Sequence, residues 1–212
     1  MKKIFVVFLF PILVALIQIP TLGELLWSNE STIHFNYWGH FFISVGSFLI
    51  LGSLLLLIYK WLGGFPINWF KWNWKLISTA GLAAVVSQLI QFLISVVAGI
   101  PTNDPATITA LHSGISSITV LTLLVLSPIL EEILFQGILQ QGLLGNLRPF
   151  LSIGITALLF AIIHGYSFGI ETLELIFSGL AYALAFWYTN DLKSPILAHG
   201  LSNLIVMVLL IV

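Results

Sequence analysis

The sequence predicts an all-α protein, a polytopic membrane helix bundle of about seven transmembrane helices. Three observations carry that prediction. Of the 212 residues, 59% are hydrophobic and only 7% charged, whereas a soluble domain carries roughly 25% charged residues. Apolar runs recur along the whole chain, each near the ~20 residues that a spanning helix needs. All seven lysines and arginines fall into alternate connections between these runs, the bias that bilayer insertion imposes on basic residues.

The first run, roughly 4–20, follows Met1, Lys2 and Lys3. No small-x-small cleavage pattern closes it, since "ALIQIPTLGE" offers only bulky residues and Pro20, so it reads as an uncleaved span. Pro11 within it is a kink position. The second run, 40–59, ends at Lys60, and the third, 76–98, begins after Lys71 and Lys75. Between them "GGFPINWFKWNWK" (63–75) mixes turn residues, aromatics and lysines, and reads as a segment lying among headgroups. The fourth run, 115–140, contains Pro128 and two glutamates; the fifth, 149–165, starts after Arg148. Lys193 separates the sixth, 171–189, from the seventh, 194–212.

With the N-terminus cytoplasmic, Lys2, Lys3, Lys60, Lys71, Lys75, Arg148 and Lys193 all lie on the inner side. The outer connections carry Glu24, Glu30, Asp104 and Glu171 but no basic residue. The tryptophans follow suit: Trp27 and Trp38 fall at the outer boundary, and Trp61, Trp69, Trp72, Trp74 and Trp187 near the inner one. His34, His40 and His112 read as interfacial residues. The chain is one transmembrane domain, 1–212, with N-terminal spans in 1–114 and the chemistry in 115–212. Its partner is the lipid bilayer. A net charge of −1 gives no electrostatic footprint for nucleic acid. Having no cysteine, the chain forms no disulfide, thiolate metal site or cysteine nucleophile. No inverted repeat of the transporter kind is visible.

The stretch "SPILEEILFQG" (127–137) places Glu131 and Glu132 inside one of the most apolar runs. A charged side chain at a helix centre costs about 2.5–3.5 kcal/mol on insertion scales. Neighbours on a helix point about 100° apart, so the two cannot share one role. One faces a cavity and the other a supporting partner. Ser127 and Pro128 before them suggest a helix distortion rather than a nucleophile. Two further polar sites follow, "FAIIH" with Phe160 and His164, and "LAHGLSN" with His199 and Asn203. The last pair is four apart and shares a helix face. A lone histidine in an apolar helix is more often packed than catalytic. Two histidines, an asparagine and two glutamates together point to one polar pocket between helices.

The order Glu-Glu-x-x-x-Arg, Phe-x-x-x-His, His-x-x-x-Asn resembles the CAAX protease and bacteriocin-processing (Abi) family of intramembrane endopeptidases. Here the motifs read "EEILFQ", "FAIIH" and "HGLSN", within about residues 115–212. The resemblance implies peptide-bond hydrolysis by a glutamate-activated water. Glu131 is then the general base, His164 holds the water, and His199 and Asn203 stabilise the oxyanion. Glu132, Gln136 and Phe160 support them. The substrate is a membrane-associated protein or peptide, and the setting a bacterial plasma membrane. Gln136 stands at the family's arginine position. Four residues after Glu132, it shares that residue's face and offers a neutral hydrogen bond where an arginine would give a charged pair.

No cofactor is expected. A zinc version would use His164, His199 and a glutamate, yet no HExxH-type spacing pre-forms such a site. Two other classes remain: a non-catalytic immunity or membrane interaction protein of the same fold, and a carrier using the glutamates as proton relays. The depths also raise a difficulty. At ~1.5 Å per residue, His199 lies about 9 Å from Lys193, but His164 about 24 Å from Arg148. Straight helices rising from one interface would keep the two histidines apart.

Overall fold

A computed structural model describes residues 1–22, 37–99, 117–164 and 169–211. The expectations for Glu24, Trp27, Glu30, His34, Asp104 and His112 fall outside the described residues. Those described form seven helices and no strand: α1 (Lys2–Ile17), α2 (Tyr37–Trp61), α3 (Trp74–Ala98), α4 (Ser117–Leu143), α5 (Pro149–Ile163), α6 (Ile170–Thr189) and α7 (Lys193–Ile211). Five of the helical stretches, Lys2–Leu22, Trp38–Trp61, Trp74–Ala98, Ser117–Leu143 and Ile170–Thr189, are long and apolar enough to cross a bilayer. α5 and α7 are shorter apolar helices.

Local chemistry sets several boundaries. Asn73 caps α3 by accepting a hydrogen bond from the Leu76 N–H at 3.0 Å, and Gly99 ends it with φ 66°. Asn190 closes α6 with φ 53°, a conformation asparagine tolerates better than most residues. Pro149 opens α5 at the first helical position, where its missing N–H has no partner to lose.

α4 is the axis of the bundle. Residues 126–140 are buried on nearly every side, as an all-round apolar helix in a bundle core should be. α1 and α2 pack on one flank, α5 and α6 on another, and α7 against its first half. Its winding changes three times: 117–121 is α-helical, 122–126 π-helical, 127–132 α-helical and 133–143 π-helical. Wider π turns inside a helix recur at functional sites. The glutamates occupy the α-helical island.

One end of the bundle collects the basic residues. Lys2 Nζ donates to the Trp61 carbonyl and Lys3 Nζ to that of Leu143, tying the start of α1 to the ends of α2 and α4. Lys75, opening α3, donates to the carbonyl of Tyr188 near the end of α6 and lies over its ring. Lys193 is buried. Its ammonium donates to the carbonyls of Asn68 and Lys71, lies 3.4 Å from Asp191 Oδ2, and faces the Trp72 ring. The 62–73 connection is thereby folded over the start of α7. His40, read as interfacial, is only 1% exposed, whereas Trp38 beside it is 64% exposed.

Candidate active site

Glu131 and Glu132 are both buried on the α-helical island of α4, and they point to different partners. Ser127, one turn earlier, donates its hydroxyl to Glu131 Oε1 at 2.5 Å. Glu131 Oε2 has no hydrogen-bond partner among the described residues and lies 3.8 Å from His164 Nε2. His164 closes α5, and its Nδ1 sits 2.7 Å from the Phe160 carbonyl oxygen. A carbonyl only accepts, so that contact puts the ring proton on Nδ1 and leaves Nε2 as an acceptor. Two acceptors thus face each other across a gap too long for a direct bond.

Glu132 is fully satisfied. Its Oε1 lies 2.8 Å from His199 Nδ1, and its Oε2 accepts from Gln136 Nε2 at 2.6 Å. The Gln136 bond is the one the four-residue spacing anticipates. The His199 bond, 67 residues distant, is not visible in any spacing. It fixes which nitrogen of His199 faces α4 and leaves Nε2 outside that contact.

Phe160 joins the two halves. Its ring centroid is 4.7 Å from that of His164 and 5.8 Å from that of His199, with edge contacts to Phe135 and Tyr182. Tyr182 on α6 stacks on His199 at 4.7 Å and 15°. Neither Tyr182 nor the Ser127 contact is foreseen from sequence. Tyr182 is one aromatic among many in "GLAYALAFW", though a hydroxyl at mid-span is a weak signal. Asn203, expected beside His199, directs its amide to the Leu123 carbonyl at 2.8 Å.

The helices nevertheless bring both histidines to the glutamates, His164 to 3.8 Å from Glu131 and His199 to 2.8 Å from Glu132. At the basic end Arg148 and Phe150 are exposed, whereas Lys193 is buried under the 62–73 connection. Beside the site, α4 and α7 leave an apolar groove of about 310 Å³, lined by Trp72, Leu124, Ile129, Leu197 and Leu204 among others.

Among the described residues, no three His, Asp or Glu side chains gather as a metal ion would require. His164 and His199 have their Nδ1 committed, to the Phe160 carbonyl and to Glu132 respectively, which leaves Nε2 of each open to the pocket.

No curated protein and no solved structure matches the chain. A family model does match: residues 113–205 fit the type II CAAX prenyl endopeptidase Rce1-like family. The matched stretch runs from just before α4 to two residues past Asn203, and so takes in every side chain of the pocket. Over residues 113–205 this multi-pass membrane bundle is thus similar to the Rce1-like type II CAAX prenyl endopeptidases, a protease family.

Proposed function

We propose that the protein is an intramembrane endopeptidase that cleaves a peptide bond with a water activated by Glu131. The observation that supports this most is the 3.8 Å approach of Glu131 Oε2 to His164 Nε2. A water donating one hydrogen to each closes that triangle with two ordinary bonds of about 2.8 Å. Glu131 takes the proton as the oxygen adds to the carbonyl carbon, and the carbonyl electron pair moves onto oxygen. His199, carrying both ring protons, donates Nδ1–H to Glu132 and Nε2–H to that oxyanion. A donor of this kind is typically worth ~100- to 1000-fold in rate. As the tetrahedral adduct collapses, the C–N bond breaks and the proton on Glu131 passes to the leaving amine. The second hydrogen of the water stays on the acyl product, so the products are a carboxylic acid and an amine.

The substrate is a membrane-associated protein or peptide. The apolar groove between α4 and α7 suits a lipid-modified or strongly apolar segment, as a prenylated CAAX protein would present. The basic end of the bundle faces the cytoplasm of a bacterial cell by the positive-inside rule, and the N-terminus with it. The proposed mechanism uses no metal, so purified protein should keep its activity in chelator.

A second reading rests on Gln136 in place of the family arginine: a non-catalytic immunity or interaction protein of the same fold. Expressing wild type and Glu131→Gln at equal abundance, and comparing membrane and secreted peptides by mass spectrometry, separates the two. The endopeptidase reading expects a set of cleaved peptides that disappears in Glu131→Gln. Identical peptide profiles would leave the partner reading standing.

A further inference from the structure

Asn203 commits one of its two amide hydrogens to the protein's own backbone. Its Nδ2 donates to the backbone carbonyl of Leu123, in the first π-helical segment of α4. That carbonyl has lost both of its helical donors. The N–H of Ser127, which an α-helix would give to Leu123, goes instead to Thr122. Residue 128, which a continuing π-helix would use, is a proline without an N–H. The carbonyl of Leu124 loses its i+4 donor to the same proline. Inside a bilayer such groups find no water, and a neighbouring helix must supply the missing donor.

α7 meets both carbonyls. Asn203 answers Leu123, and Gly200, one turn earlier, lets the α7 backbone lie against Leu124. A Cβ on Gly200 would come within 2.6 Å of the Leu124 oxygen. His199 is the residue before that glycine, so the same docking sets the distance from His199 to Glu132, 2.8 Å.

We propose that Asn203 is a positioning residue: it supplies from the side the hydrogen-bond donor that Pro128 withholds, and so seats α7 with His199 against Glu132. Gly200 serves the same seat by making room for it. Only the activity arm of the test rests on the endopeptidase reading; the docking arm does not.

The test is a double-mutant cycle on the purified full-length chain: wild type, Asn203→Ala, Pro128→Ala and the double variant. Asn203→Ala should lower Tm and reduce kcat on the order of 100-fold, the scale of a misplaced catalytic group, with KM little changed. Pro128→Ala returns an N–H to α4. In that background the loss of Asn203 should cost much less in both Tm and kcat. Gly200→Ala, which presses a methyl against Leu124, should lower Tm and kcat together. An unchanged or raised Tm in Asn203→Ala, with kcat lost and not recovered in the double variant, would overturn the proposal in favour of direct contact with substrate. Unaltered kcat in Asn203→Ala would overturn it too, as would Gly200→Ala leaving both quantities intact. If Pro128→Ala fails to fold, the Asn203→Ala and Gly200→Ala pair decides. If the wild type cleaves nothing, the endopeptidase reading fails, while the Tm cycle still decides the docking.

Discussion

Glu131 and Glu132 divide their labour because one step along a helix turns the side chain by about 100°. Glu131 keeps one oxygen on Ser127 and one free toward His164, while Glu132 has both engaged by His199 and Gln136. Glu132→Gln should therefore leave Glu131, the base of the proposed mechanism, untouched and misdirect His199. Turnover should fall by ~10- to 100-fold, the usual effect of removing the partner that orients a functional histidine, with KM changed little. A steady-state comparison at matched abundance checks this. Gln136→Arg should instead keep turnover equal or raise it, because a guanidinium gives Glu132 a charged partner and does not touch Glu131. A sharp loss in that variant would show that the glutamine has a role of its own. The Gln136–Glu132 bond follows from four-residue spacing and is legible in the sequence. The Glu132–His199 pair and the Tyr182 stack join separate helices, and no local period encodes them.

At the scale of the element, hydropathy finds each helix but not its winding or its depth. The runs 115–140 and 149–165 correspond to Ser117–Leu143 and Pro149–Ile163. Nothing in an apolar pattern distinguishes π from α turns, and a lysine reads as an interface marker even when it is buried. Lys193 holds the 62–73 connection through two carbonyls and Asp191. Lys193→Met should lower stability by about 2–4 kcal/mol, because it strips charged hydrogen bonds from a buried site. Thermal unfolding measures the loss. The contact of α5 with α6 depends on Gly179, where a Cβ would lie 2.9 Å from the Ala157 Cα. Small residues at such crossings let backbones approach. Gly179→Val should push the helices apart, moving Phe160 and His164 away from Tyr182 and Glu131. Turnover should fall in step with Tm, and a variant that loses neither would show that α5 is held elsewhere.

At the scale of the whole molecule, the segregation of lysine and arginine is the most telling sequence signal, since the contacts of Lys2, Lys3, Lys75 and Lys193 gather at one end of the bundle. The chain has no cysteine, so one introduced thiol reports its side of the membrane without background. Phe70→Cys, at a site 96% exposed, should react with an impermeant maleimide only after cells are opened. Labelling in intact cells would reverse the orientation. The burial of α4 also bears on how the protein is made. Within its most apolar window 61% of residues are buried, against 17–39% in the other four long helices. Ribosomal synthesis delivers α4 before α7, so Glu132 enters the bilayer before His199 exists to meet it. Until α7 arrives, the nascent chain carries an open polar seam, and assembly waits on that helix. A chain stopped before Lys193 should therefore be cleared by quality control even though α1 to α6 are complete, as a pulse-chase of the truncated chain would show.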